Sequence, residues 1–171
     1  MRARRARLQD AVAIKRIVDQ FTEDNTLLQR SFAELCENIR DFVVVEDHTG
    51  VIACGALHLY GSHLTEIRTI AVDPQYQGRG AGDLLINALL EEAEWHGIRC
   101  VCLFTRIPRF FARFGFQLAD RVQLPDKMYK DCVSCPRQDA CDEIAMYRGE
   151  LPSFAILAPA HQQRQELVHI G

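Results

Sequence analysis

The chain has 171 residues, 48% of them hydrophobic and 25% charged, with a formal net charge of -3. That suits one globular domain with a full core, and the slightly acidic balance argues against a nucleic-acid-binding surface. No apolar run approaches the roughly 18–20 residues that span a bilayer, and the N-terminus lacks a signal-peptide core, so no membrane association and a cytoplasmic location are expected. Arg2, Arg4, Arg5 and Arg7, interleaved with alanines, read as a first strand over 2–7. Asp10 is placed to cap a helix to about Gln20, whose apolar side is Val12, Ile14, Ile17, Val18 and Phe21. Ser31-Phe32-Ala33-Glu34 is a capping-box pattern that opens a second helix to about Arg40. "FVVVE" (42–46) and "VIACGALHLY" (51–60) read as strands joined by a hairpin turn, and "TEIRTIAV" (65–72) as the next strand. A long helix is predicted from about Gly80 to His96, with Gly97 ending it. "RCVCLFT" (99–105) has the near-continuous apolar character of a buried central strand. A short aromatic helix (108–114) stops at Gly115, a strand follows from Phe116, and "SFAILA" (153–158) is the expected last strand. A meander followed by strand–helix–strand predicts an α/β sheet with helices on both faces.

Seven cysteines are many for such a chain. Cys36, Cys54, Cys100 and Cys102 fall within helix or strand patterns and read as small core residues. Cys132, Cys135 and Cys141 share a loop, "KDCVSCPRQDACDE" (130–143). A C-x2-C pair is a common half of a zinc site, and Asp131, Asp142, His161 or His169 could complete one. A local disulfide, or reduced thiols packing an insertion, fits the same spacing, so the metal question stays open at this point.

The stretch "AVDPQYQGRGAGDLLINALL" (71–90) joins a strand to the long helix through Gly78, Gly80 and Gly82. Helix N-termini present unpaired N–H groups and partial positive charge, and glycines let an anion approach them closely. Three alternating glycines with Gln77 and Arg79 among them exceed what a plain turn needs, so a phosphate cradle is predicted. The loop lacks the Gly-Lys-Ser/Thr ending of a P-loop. It also has Asp83 where a dinucleotide fingerprint needs glycine.

Gln77-x-x-Gly80-x-Gly82, with "IRTIAV" before it, the long helix after it and "FFARFGF" (110–116) beyond, resembles the GNAT superfamily of acetyl-CoA-dependent N-acyltransferases. The resemblance covers about residues 2 to 125. It implies a twisted, mixed, mostly antiparallel sheet of six to seven strands flanked by helices. One such domain would occupy residues 1–158, with the cysteine loop as an insertion and 159–171 as a tail. Acetyl-CoA would be the co-substrate, its pyrophosphate held by Gln77, Gly78, Arg79, Gly80, Ala81 and Gly82. Its pantetheine arm would lie along Ile70, Ala71 and Val72. Where many members carry a tyrosine acid, this chain has Phe111.

"LLQRSFAELCENIRDF" (27–42), "TEIRTIAVDP" (65–74), "CLFTR" (102–106) and "FFARFGF" are similar to the acetyltransferase domain of the N-acetylglutamate synthase family, in its short form. That implies acetyl transfer to the α-amino group of L-glutamate, the first step of arginine biosynthesis. Arginine forks suit carboxylates, and Arg30, Arg68 and Arg106, with Thr105 beside the last, lie in the matching segments. Lys127 and Lys130 are the cations available near the cysteine loop. By the two-residue period of a strand, Glu66 and Arg68 share a face with Ile70 and Val72, which aims Glu66 at the cleft. Glu66 is then the candidate general base, or else the ion-pair partner of Arg68. The backbone N–H of Ala71 or Val72 is the candidate oxyanion donor, and His58 and His63 are read as structural or exposed. Other acceptors (another amino acid, a small amine, a protein N-terminus) and a non-catalytic acyl-CoA sensor are the rival readings. Self-association into a homodimer is compatible with all of them.

Overall fold

The computed structural model describes residues 1–23 and 26–152; the strand expected over 153–158 and the tail lie outside them. In chain order the main elements are β1 (Arg2–Arg5), α1 (Ala11–Asp19), α2 (Phe32–Glu37), β2 (Phe42–Asp47), β3 (Gly50–Gly61) and β4 (Leu64–Val72). There follow α3 (Ala81–Trp95), β5 (Cys100–Thr105), α4 (Pro108–Ala112), β6 (Gln117–Leu118), α5 (Pro125–Lys130) and β7 (Ile144–Gly149). The strands form one sheet in the order β1-β2-β3-β4-β5-β7-β6. Every neighbouring pair is antiparallel except β4 and β5.

Local chemistry explains most boundaries. Ser31 Oγ accepts the Glu34 N–H at 3.1 Å and the Glu34 carboxylate accepts the Ser31 N–H at 2.7 Å, so the capping box forms. α2 nonetheless ends at Glu37, short of Arg40. α3 closes as a Schellman motif: Gly97, at φ 68°, donates to Glu94 O, and Ile98 donates to Ala93 O. Asp10 does not cap α1. A 3-10 turn (Leu8–Asp10) precedes that helix, and the Asp10 carboxylate accepts from the Arg7 N–H at 2.7 Å and from Arg4 at 2.7 and 2.9 Å. The Arg4 bonds hold the Asp10 carboxyl below its ordinary range. Arg4 also bonds Glu46, and Arg5 pairs with Glu92 of α3, so the arginine cluster docks β1.

The sheet buries both faces. Ile14, Ile17, Val18 and Leu35 of α1 and α2 pack on Val44, Cys54, Ala56 and Ala71. Leu85, Ile86 and Leu89 of α3 pack on Val43, Val45, Leu57 and Ile67 of the opposite face. Leu64, Cys100, Cys102, Leu124 and Ala145 form a third, smaller cluster. β5 is central, as expected; burial alone pushes the Cys54 thiol up to about 12. Cys36, by contrast, is only half-buried. β5 pairs along its length with β7, a strand not anticipated from the sequence, whereas the strand expected after Phe116 is only the two-residue edge β6.

Two irregularities in β4 shape the middle of the sheet. Between Ala71, opposite Cys54, and Arg68, opposite Ala56, β4 has one residue more than β3. This β-bulge places Thr69 at φ 55°, a strained conformation for a β-branched residue. β4 also meets β5 at only two pairs, Thr65 with Val101 and Glu66 with Cys102, and the strands then part.

At the far edge of β5, a Cβ at Gly149 (φ 99°) would stand 2.1 Å from the Arg99 carbonyl oxygen. At Gly97 it would meet nothing within 4 Å. Gly97→Ala should therefore cost only the left-handed backbone term, about 1–2 kcal/mol. Gly149→Ala should cost distinctly more in urea denaturation, because backbone there has to move.

Candidate active site

The gap where β4 and β5 separate opens into a cleft of about 270 Å³. Glu66 to Ile70 of β4, Phe104 and Thr105 of β5, and residues 26–28 wall it, together with Lys127 and the cysteine loop. Arg30, Arg68, Thr105 and Arg106 all reach this cleft, as does Glu66. The expected face-sharing of Glu66 and Arg68 with Ile70 and Val72 does not hold. The bulge at Thr69 shifts the alternation, so Ile70 and Val72 pack on the α3 side with Ile67, while Ala71 stays with Ala56, the partner of Arg68.

Glu66 lies at the centre of a buried hydrogen-bonded cluster. Its side chain is 3% exposed and does not brace Arg68. Lys127 Nζ lies 2.9 Å from one of its oxygens and 3.1 Å from the other, and the Tyr60 hydroxyl is 3.0 Å from the second. The same hydroxyl lies 2.6 Å from Asp131 Oδ2, which also contacts Lys127 at 3.3 Å and Arg68 at 3.7 Å. Burial would lower the proton affinity of Lys127, but the Glu66 and Asp131 charges outweigh it and raise it overall. Asp131 is held below the ordinary carboxylate range. Burial opposes that shift, and the Tyr60 bond with the Lys127 and Arg68 charges overcomes it. Burial, reinforced by the Glu66 charge, keeps the Tyr60 phenol protonated.

On the opposite wall Arg106 donates to Asp142 at 2.7 Å and to the Thr26 carbonyl at 3.1 Å, tying three segments together. Arg137 approaches the same Asp142 at 3.7 Å. Thr105 Oγ accepts the Ile107 N–H at 3.0 Å and so shapes the turn into α4. Glu143 is pushed up by burial, only partly offset by Arg106 and Lys127. Cys135 and Cys141 line the cleft, and Arg121 donates to Cys141 Sγ at 3.2 Å. All three loop thiols are free, and no group of three or more His, Cys, Asp or Glu side chains gathers into a metal site among the described residues. His161 and His169 lie outside those residues. Lys130 turns away to the Tyr60 ring, His58 faces Asp41 and His63 faces Asp126.

At the end of β4 the glycine turn leads into α3. Gly78 and Gly80 have φ of 72° and 85°, and a Cβ on either would meet nothing within 4 Å. Gly82 is small for another reason: a Cβ there would press on the Phe110 ring at 3.3 Å. The N–H groups of residues 78 to 83 have no backbone acceptor among the described residues, which leaves a row of donors at the positive end of a 15-residue helix. Asp73 donates its N–H to Ile52 of β3, and Gln77 Nε2 reaches the Val72 carbonyl at 3.2 Å. By strand alternation the Val72 N–H therefore faces the gap and that of Ala71 faces β3. A slot between parted strands, ending at this row of N–H donors, fits an extended chain with a pyrophosphate at one end.

The profile of the acetyltransferase (GNAT) domain matches residues 38–118. An uncharacterized N-acetyltransferase of Chlorobaculum tepidum is 37% identical over 145 residues, covering 85% of this chain and 94% of that protein. The chain belongs to the GNAT acetyltransferase family. It is an N-acetyltransferase dependent on acetyl-CoA, with the open mixed sheet of that fold. An amino-acid acetyltransferase of Mycobacterium tuberculosis is 40% identical over 66% of this chain and 66% of its own length. The structure of Rv2747 from the same organism, in complex with CoA and a second ligand, aligns with a TM-score of 0.74 at 32% identity, over 87% of this chain and 99% of that one. The N-acetylglutamate synthase of Neisseria gonorrhoeae, complexed with coenzyme A and N-acetyl-glutamate, aligns with a TM-score of 0.77 at 27% identity. That alignment covers 88% of this chain but 35% of the synthase, so this acetyltransferase spans about a third of the longer protein's length.

Tyr60, Arg137 and Glu143 are not singled out by the sequence, and Asp131 is named there only as a possible metal ligand. The Lys127-x3-Asp131 spacing on and just beyond a short helix was the available signal for pairing Lys127, a partner of Glu66, with Asp131.

Gly80→Asp sets a carboxylate among the donors of the cradle, in a conformation that Asp tolerates better than most residues. The variant should fold and lose acetyl-CoA binding by calorimetry; undiminished binding would remove this loop from the acetyl-CoA site.

Proposed function

We propose that this acetyltransferase transfers the acetyl group of acetyl-CoA to the α-amino group of L-glutamate, the entry step of arginine biosynthesis. The observation that carries the reading is the charge of the cleft. Among the described residues, Arg30, Arg68, Arg106, Lys127 and Arg137 line it with the carboxylates Glu66 and Glu143, while Asp131 and Asp142 pair with four of these cations from behind the lining. Such a wall suits an acceptor with two carboxylates and one amine, and opposes one with a cationic side chain. The relatives named amino-acid acetyltransferase and the likeness to N-acetylglutamate synthase point the same way.

In this mechanism the amides of residues 78 to 83 hold the pyrophosphate and the arm runs along the gap-facing backbone of β4. Arg30 and Arg68 take the α-carboxylate of the acceptor. Glu66 removes a proton from its ammonium, and the free amine attacks the thioester carbonyl. The Val72 N–H, turned into the gap, is the donor for the oxyanion. Phe111, buried and apolar, offers no proton to the departing thiolate, which leaves unaided because thiols are good leaving groups.

Arg68→Ala should raise KM for glutamate by roughly 10- to 150-fold, the worth of about 1.5–3 kcal/mol for a bond to a charged group, with KM for acetyl-CoA little changed. Equal changes in both would make Arg68 a support of the strand.

Glu66→Gln should lower kcat by about 10²–10⁴-fold at neutral pH while acetyl-CoA affinity holds. The deficit should shrink as pH rises, because more acceptor arrives already neutral. Steady-state rates from neutral to alkaline pH check this, and a flat deficit carried in KM would remove the base role.

A further inference from the structure

The partner of Glu66 is also a wall of the cleft. Tyr60 and Lys127 both touch the Glu66 carboxylate, but only Lys127 also lines the space where an acceptor must sit. Tyr60 is fixed in the sheet on β3. Lys127 projects from α5, a six-residue helix, on a flexible four-carbon stem. Its ammonium spans both Glu66 oxygens and stands where an acceptor ammonium would have to come for Glu66 to take its proton.

The two cations compete for one carboxylate, and burial decides how. Lys127 is 16% exposed and Glu66 3% exposed, so neither can be left unpaired without a large desolvation cost. Asp131 does not release Lys127 cheaply, since it already accepts from Tyr60 and faces Arg68. An acceptor with an anionic side chain resolves the conflict. Its ammonium takes the place of Lys127 on Glu66, and its side-chain carboxylate receives Lys127. An acceptor with a neutral side chain supplies the first exchange and not the second.

Resting on glutamate as acceptor and Glu66 as base, we infer that Lys127 is the specificity-determining residue of this acetyltransferase. It occupies the base in the empty enzyme and leaves it only for the side-chain carboxylate of the incoming amino acid. Lys127 keeps all its protons throughout; the one proton that moves goes from the acceptor ammonium to Glu66, leaving a neutral amine. Selection of the acidic side chain is thereby tied to freeing the base.

The test compares glutamate with glutamine, a near-isostere that lacks the side-chain charge, in wild type, Lys127→Met and Lys127→Arg. Wild type should favour glutamate in kcat/KM. Lys127→Met should cut the glutamate-to-glutamine ratio by about tenfold or more, through a raised KM for glutamate, while Lys127→Arg retains much of it. Calorimetric acetyl-CoA affinity reports that the fold is intact. Should Lys127→Met fail to fold, Lys127→Gln, which can still hydrogen-bond Glu66, carries the same comparison. A ratio unchanged in the neutral variant, with both acceptors weakened alike, would overturn the role of Lys127. A wild type with no preference for glutamate would instead overturn the acceptor assignment itself.

Discussion

The pairing of Glu66 with Cys102 is the last register pair between β4 and β5, and the candidate site follows from the strands parting there. A central sheet normally satisfies its backbone across every neighbour. Here the chain holds open a wedge of unpaired backbone, and the sequence on either side keeps it from closing. Thr69, at a positive φ, bends β4 away, and the bulge leaves Arg68 on one face and Ile70 on the other. α3 starts a few residues beyond, so its positive end is fixed relative to the wedge by the same strand.

Charge inside the wedge is arranged as a closed set. Glu66 and Asp131 are opposed by Lys127 and Arg68, with the Tyr60 hydroxyl lying between the two acids. A buried carboxylate is tolerable only when so compensated, and the compensation comes from β3, β4 and α5. Lys127, which the proposed mechanism places at the site, thus also ties the short α5 to the sheet, alongside the His63–Asp126 contact. On the proposed mechanism, stability and acceptor recognition draw on the same contacts.

Features that depend on a few consecutive residues were legible in the sequence. The Ser31–Glu34 box, the stop at Gly97 and the glycine turn before α3 all formed, because each is decided by backbone chemistry within one turn. Asp10 misled for the same reason in reverse: its carboxylate found Arg4, whose position only the docking of β1 on β2 determines. The bulge had no local signal, since Thr69 is a β-branched residue where glycine would be expected. The Lys127–Glu66 pair joins positions 61 residues apart, and no periodicity carries that information. β7 was hidden because Ala145 and Met146 are both buried, so its run lacks the alternation that marks a half-exposed strand.

The wedge also says what kind of molecule can fill it. Its walls are strand edges with donors and acceptors at peptide spacing, so the best occupant is thin, extended and itself rich in amides. On the proposed arrangement the pantetheine arm, with its two amide groups, behaves as a short added strand wedged between β4 and β5. The acetyltransferase then reads its donor as it would a peptide, by β-augmentation in the interior of a sheet. The thioester is delivered to Glu66 because it is the next position along that borrowed strand.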